Sequence, residues 1–293
     1  MSYRTGARFG PRAIRIASAR QSRARGWNAR AGINPYKSGL SIVDCGDIPL
    51  VPIDNAIALK QMTTAMTELG NRGIGLTKPR LLTLGGDHSV ALGALRALRQ
   101  IYARPITVLH FDAHLDTWIP PNSDSDFAWF SDQLRFNHGD VFSLAWEEGL
   151  IANGTSVHVG LRTRLSGPTD MDDDAMQGFM PITTDDVDEI GTKGIVEKVK
   201  KRVGDGLVYL SFDIDVVDPG LAPATGTPEP GGLTSREVIR LLRGLEGFNI
   251  VGADIVEVSP AYDGAGEQTA LIAAQVAYEI LTNWALVLKP KAT

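Results

Sequence analysis

The chain of 293 residues predicts an α/β protein with a mostly parallel central sheet and helices on both of its faces. Three observations point there. Short apolar runs rich in Val, Ile, Leu and Phe, at 81–84, 106–111, 155–159, 207–212 and 250–254, have the length and continuity of buried parallel strands. Helical periodicity near 89–102, 193–203, 234–244 and 265–287 alternates with them. No repeat, low-complexity tract or long linker divides the sequence, so residues 1–293 are read as one domain.

The chain opens on a basic stretch. Residues 1–43 hold eight Arg and one Lys with no acid, a balance of +9, which leaves −14 for the rest. An Arg-rich start raises a transit peptide or a nucleic-acid arm. Gly6, Gly10 and Pro11 break it early, and no sustained amphipathic helix with a bare basic face follows, so neither nucleic acid nor membrane is expected as a partner. No membrane span of about 20 apolar residues is read, and a cytoplasmic location is expected. Cys45 is the only cysteine, which excludes an internal disulfide and a thiolate metal cluster; it reads as a small apolar residue near the end of a strand. The acidic remainder suits a site built from carboxylates for a cation.

Three of the strand-like runs end in chemistry. Run 81–84 leads into Gly85-Gly86-Asp87-His88, run 106–111 into Asp112-Ala113-His114-Leu115-Asp116, and run 207–212 into Asp213-Ile214-Asp215. In open α/β sheets, ligands collect at the C-terminal ends of strands. Residues i and i+2 of an extended chain share a face, which lets Asp112 with His114, and Asp213 with Asp215, converge. His88, Asp112, His114, Asp116, Asp213 and Asp215 make an oxygen-rich set with imidazole, sufficient for two ions and better matched to manganese than to zinc. Two ions acidify a shared water. A binuclear metallohydrolase is the reading; His110 and His158, on the strands themselves, read as hydrogen-bonded core histidines.

Between these elements lie two long stretches read as irregular, 117–139 and 161–188. Such loops are usually lids or binding loops. The acidic run Asp170, Asp172, Asp173 and Asp174 within the second reads as a solvated face. Farther on, Thr234 and Glu237 have capping-box spacing and open a helix after Gly231-Gly232.

These motifs resemble the ureohydrolase family of arginase, agmatinase, guanidinobutyrase and formiminoglutamase. The resemblance rests on Gly6-Ala7-Arg8-Phe9-Gly10-Pro11-Arg12, Gly85-Gly86-Asp87-His88-Ser89, Phe111-Asp112-Ala113-His114-Leu115-Asp116, Ser211-Phe212-Asp213-Ile214-Asp215, Gly226-Thr227-Pro228-Glu229-Pro230 and Glu257-Val258-Ser259-Pro260. It implies an arginase-like fold and two Mn2+ ions per subunit. One ion is implied on His88, Asp112, Asp116 and Asp213, the other on Asp112, His114, Asp213 and Asp215, with Asp112 and Asp213 bridging. It further implies Glu257 against the guanidinium, His138 as a proton shuttle near the mouth, and Asp116 carrying a proton to the leaving amine. The implied reaction hydrolyses a guanidino compound to urea and an amine. Trimers or hexamers are the implied assembly.

The same resemblance addresses the substrate. Arginases are expected to place an Asn two residues beyond the last Asp of Asp-x-His-x-Asp, where this chain has Trp118, and an apolar ring cannot replace head-group hydrogen bonds. Agmatine is therefore expected, giving putrescine, with 4-guanidinobutyrate as the alternative. Arg162 and Arg164 are candidates for a substrate carboxylate, and the acidic run near Asp170 for an ammonium. Relatives usually begin with another strand before the Gly-Ala-Arg segment, so the first strand is expected to be absent and a sheet edge left unpaired. An inactive scaffold or regulatory homologue is the alternative of another class. A zinc deacetylase is disfavoured, since one zinc needs only about three protein ligands.

Overall fold

The computed structural model describes residues 3–73, 78–120 and 135–288. Most of the expected loop 117–139 therefore lies outside the described residues. Six strands form one sheet in the order β1-β6-β5-β2-β3-β4, and every pairing is parallel. They are β1 (Leu81–Leu84), β2 (Thr107–Phe111), β3 (Ser156–Leu161), β4 (Phe179–Thr183), β5 (Leu207–Asp213) and β6 (Asn249–Val256). Eight α-helices occur among the described residues: α1 (Gly10–Ala17), α2 (Asn55–Gly70), α3 (Val90–Tyr102), α4 (Val141–Glu147), α5 (Thr169–Met176), α6 (Thr184–Val203), α7 (Ser235–Gly244) and α8 (Gln268–Leu288).

The five expected strands are present; β4 and α5 occupy the stretch read as an irregular loop. Pro181 lies inside β4, and a strand holding proline fits only at a sheet edge, which is where β4 runs. In α5 the polar composition hides the helix, although Asp170 and Asp172 in its first turn complement the positive end of its dipole. Pro11, expected to break the chain, instead starts α1, because the first turn needs no proline N–H. Helix α7 begins with the expected Thr234–Glu237 capping box.

Alternation of side chains divides the sheet into two cores. Leu109, Phe111, Val157, Val159, Leu210 and Phe212 face α1, α6, α7 and α8. Val108, Tyr209 and Val251 face α2, α3 and α4. His110, His158 and Ser211 fall on this second face, buried beneath the strand ends. Helix α8 is long and apolar enough to cross a bilayer, a feature the sequence reading passed over. It lies on the sheet instead, with Trp284 Nε1 donating to Ile250 O at 3.0 Å and buried Glu279 paired with Arg243 at 2.8 Å.

Among the described residues β1 is an edge strand, paired only with β6. Its outer side faces a cleft of about 1840 Å³ whose opposite wall is the segment 38–52. That segment is held by Arg15, which pairs with Asp44 at 2.9 Å and Asp47 at 2.6 Å, so part of the basic start finds its acids here. Cys45 sits exposed on it rather than at a strand end.

Candidate metal centre

Four neighbouring strands deliver the site. Beyond the C-terminal ends of β1, β6, β5 and β2 come His88, Glu257, Asp213 with Asp215, and Asp112 to Asp116, and the structure brings all of them to one place. His88, Asp112, Asp116, Asp213, Asp215 and Glu257 are buried, and His114 is only 13% exposed at its side chain.

The chain turns sharply to achieve this. Asp116 at φ 53° and Glu257 at φ 65° adopt the left-handed region, each at a cost of about 1–3 kcal/mol. Only two other non-glycine residues do so among those described, Ala103 and Glu267. Local strain at two expected functional residues is compensated by the packed sheet beneath them.

His88 Nδ1 lies 2.9 Å from Asp116 Oδ2, 3.2 Å from Asp112 Oδ2 and 3.4 Å from Asp213 Oδ2. Yet that nitrogen has no hydrogen-bond partner of acceptable geometry. The other ring nitrogen explains why. Ser211 Oγ donates to Asp254 Oδ1 at 2.9 Å, so it accepts from His88 Nε2–H at 2.7 Å, which reserves Nδ1 for a metal; with no cation there, burial lowers the His88 pKa but Asp112, Asp116 and Asp213 outweigh it and raise it well above 6.5. Three carboxylate oxygens within 3.4 Å of an imidazole nitrogen whose ring partner is already engaged fit a cation held among them, and His88, Asp112 and Asp116, with His110 beside them, form a group close enough to share one ion. Asp254 also receives Phe212 N at 3.1 Å and the Tyr209 hydroxyl, which fixes it in turn.

A second group adjoins the first through Asp112. His114 Nδ1 lies 3.2 Å from Asp112 Oδ1 and 3.0 Å from Asp215 Oδ2. Asp215 is oriented by Ala113 N at 3.1 Å and Thr227 Oγ1 at 3.3 Å, while Asp213 Oδ1 accepts the Asp215 amide at 2.8 Å. Neither pair is presented by extended strand as expected: β2 ends at Phe111 and the His114 amide turns back to donate to Asp112 Oδ1 at 2.6 Å, while Asp215 lies in a tight 3₁₀ turn after β5.

Charge balance makes the same point. Burial and the neighbouring Asp215 and Asp112 carboxylates push the Asp213 pKa well above the usual range, and burial with Asp87 does so for Glu257. Burial alone would lower His114, but Asp215 and Asp112 outweigh it and lift the imidazole to about 12. Carboxylates that resist ionising beside imidazoles that hold protons form a cluster short of positive charge.

A cavity of about 430 Å³ opens over these groups, lined by Asp116, Trp118, His138, Arg164, Glu229 and Glu257 among others. Glu257 Oε1 accepts from the His88 backbone N–H at 2.8 Å, and its Oε2 is buried without a partner. His138 lines the cavity and is half-buried, its Nδ1 is unpartnered, and burial lowers its pKa below the ordinary 6.5. Arg162 is not available to a substrate: it donates to the carbonyls of Asp215 at 2.6 Å, Glu229 at 2.7 Å and Gly160 at 3.1 Å, tying the strand ends together.

The acidic run also differs from the solvated face expected. Asp174 is fully buried, and Asp170 accepts from Trp118 Nε1 at 3.1 Å. Sequence reasoning missed these and Asp254. An isolated Asp inside the apolar run Gly252-Ala253-Asp254-Ile255 was the available signal, since a buried carboxylate requires partners.

Comparison with known proteins agrees with this geometry. The Arginase family profile matches residues 1–282. A Schizosaccharomyces pombe protein named "Putative agmatinase 1" is 46% identical over 293 residues, covering 96% of this chain and 73% of that protein. The agmatinase of Chromobacterium violaceum is 38% identical, over 96% of this chain and 79% of its own length. The solved proclavaminate amidinohydrolase of Streptomyces clavuligerus superposes with a TM-score of 0.85 at 37% identity, over 98% of this chain and 88% of that one. With the fold, the paired His/Asp groups and these relatives in agreement, the chain belongs to the arginase family, as a ureohydrolase acting on linear amidines.

Proposed function

We propose that this protein is a manganese-dependent agmatinase, hydrolysing agmatine to urea and putrescine. The observation that carries the reading is one cavity holding both a ligand cluster joined by Asp112 and a buried carboxylate, Glu257, with one oxygen free. His88, Asp112, Asp116 and Asp213 are assigned to one Mn2+, and Asp112, His114, Asp213 and Asp215 to the other. When bound, the two ions supply Lewis acidity that lowers the pKa of a shared water toward neutrality.

The chain's own residues do the rest. Glu257 Oε2 accepts from the substrate guanidinium, a planar cation whose arrival also restores the ionised carboxylate that burial disfavours. Because Oε1 is fixed by the His88 amide, the guanidino carbon is aimed at the ligand cluster. Asp116 takes the proton released as water adds to the guanidino carbon and hands it to the leaving amine as the C–N bond breaks, and His138, neutral at physiological pH, exchanges protons with solvent. Trp118 has its only donor engaged by Asp170 and so offers the substrate's methylene chain apolar surface. Glu229, which also lines the cavity with its Oε1 3.9 Å from His114 Nε2, supplies a carboxylate for the substrate's ammonium.

One observation favours a second reading, a 4-guanidinobutyrase. Arg164 lines the cavity and forms no ion pair among the described residues, so it suits a substrate carboxylate. Urea release from agmatine, 4-guanidinobutyrate and arginine by Mn2+-loaded protein separates the readings. A large preference for 4-guanidinobutyrate replaces agmatine, and no urea from any guanidino compound, with ions bound, leaves the inactive scaffold.

A further inference from the structure

A chain of hydrogen bonds runs from Asp112, assigned to both ions, across β2 and β3 to α5. His110 Nε2 meets Asp112 Oδ2 at 2.8 Å, His110 Nδ1 meets His158 Nδ1 at 2.7 Å, and His158 Nε2 meets Asp174 Oδ1 at 2.9 Å. All four side chains are fully buried. Parallel pairing of β2 with β3 sets His110 directly opposite His158 on the face away from Leu109 and Val157. Phe142 packs edge-on against His110 at 4.7 Å, and Phe179 stacks on His158 at 4.2 Å, so neither ring is free to turn.

Asp112 at one end and Asp174 at the other hold the two rings in line. Remove Asp174 and the His158 ring loses its outer partner.

Helix α5 grips the site at two further points. Thr117 Oγ1 donates to Asp174 Oδ1 at 2.7 Å and Gln177 Nε2 to Thr117 O at 2.7 Å, which anchors the backbone directly after the ligand Asp116. Asp170, one turn earlier on α5, holds the Trp118 indole.

We propose that Asp174 is a positioning residue for the metal centre, acting through His158 and His110 to set the Asp112 carboxylate that both ions share. The inference rests on the metal-centre reading above. It gives the acidic run of α5 a specific task and makes that helix the support of ligand and pocket wall alike. Partners of this outer kind commonly change metal affinity by 10–100-fold when removed.

The test is Mn2+ binding by calorimetric titration of the chelator-treated full chain, compared across wild type, Asp174→Ala, His110→Ala and the double variant. Asp174→Ala is expected to weaken Mn2+ binding roughly tenfold or more. The double variant is expected to weaken it by less than the product of the single effects, because both break one chain of contacts. Asp172→Asn, an exposed neighbour on α5, is expected to bind as wild type does. A folded Asp174→Ala protein with wild-type affinity, or fully multiplicative effects, overturns the proposal. If Asp174→Ala does not fold, Asp174→Asn takes its place: it keeps the volume and loses the charge, and wild-type affinity there overturns the proposal equally. Absence of Mn2+ binding by wild type defeats the metal-centre reading instead, which keeps the two failures apart.

Discussion

Glu257 and His88 are laced together through the backbone: the His88 amide donates to Glu257 Oε1 at 2.8 Å, and the Glu257 amide donates to Gly86 O at 2.9 Å. The residue assigned to the guanidinium is thus hydrogen-bonded to the loop that presents His88, itself assigned to the metal. Substrate and ligand cluster share one rigid frame, which is what near-attack alignment requires.

Glu257→Gln keeps an acceptor for the His88 amide and removes only the charge. Loss of a charge-assisted bond to the guanidinium is expected to cost about 2–3 kcal/mol, roughly 30–150-fold in kcat/KM, with Mn2+ content unchanged. Steady-state kinetics beside metal analysis checks this; unchanged kcat/KM removes Glu257 from substrate binding.

His138 must be neutral to accept a proton, and burial holds its pKa below 6.5. Activity is expected to fall as pH drops through a value under 6.5, and His138→Asn to flatten that acid limb while lowering kcat. A pH–rate profile that keeps its acid limb in the variant assigns the limb to another group.

Asp213 lies between both ligand groups in the proposed assignment. Asp213→Asn is expected to reduce bound Mn2+ and abolish urea release. In wild type, Mn2+ at about 100 times its Kd is expected to add about 2.7 kcal/mol of stability, lost on chelation. A variant retaining both ions and full activity contradicts the assignment, as does a melting temperature indifferent to Mn2+.

Gly160 sits at φ 106° in β3, where an added Cβ would come within 2.4 Å of Val216 Cγ2 and 3.2 Å of the Asp112 carbonyl. Gly160→Ala is expected to cost about 2–4 kcal/mol from overpacking and backbone strain together. Because Asp112 and Asp215 flank the clash, Mn2+ affinity is expected to fall with stability. Denaturant unfolding that shows less than about 0.5 kcal/mol of change rules out the close packing.

The strands that build the site were legible because a buried parallel strand writes itself as an unbroken apolar run. β4 was not, since Pro181 and a half-buried edge position dilute that signal. Helices α1 and α5 were masked for a related reason: Gly10-Pro11 and a row of aspartates look like breakers or solvent unless their place in a first turn is known. The clustered His and Asp residues could be read from motif spacing. Their supports could not, because Asp254 meets His88 through Ser211, and Asp174 meets Asp112 through two histidines, across contacts 43 and 16 residues or more apart in sequence.

Sequence alone determined the α/β class, the three strand ends that carry the His/Asp motifs and the exclusion of thiolate chemistry, since each depends on residue type and short-range spacing. Tertiary structure decided which polar residues are buried: it made Arg162 a brace rather than a substrate contact and Asp174 a core residue rather than a solvated one. It also left His88 Nδ1 without a hydrogen-bond partner by pairing the opposite nitrogen with Ser211. The physical reason is that a side chain's role follows from its desolvation and its partners, and both are properties of chain segments brought together only by folding.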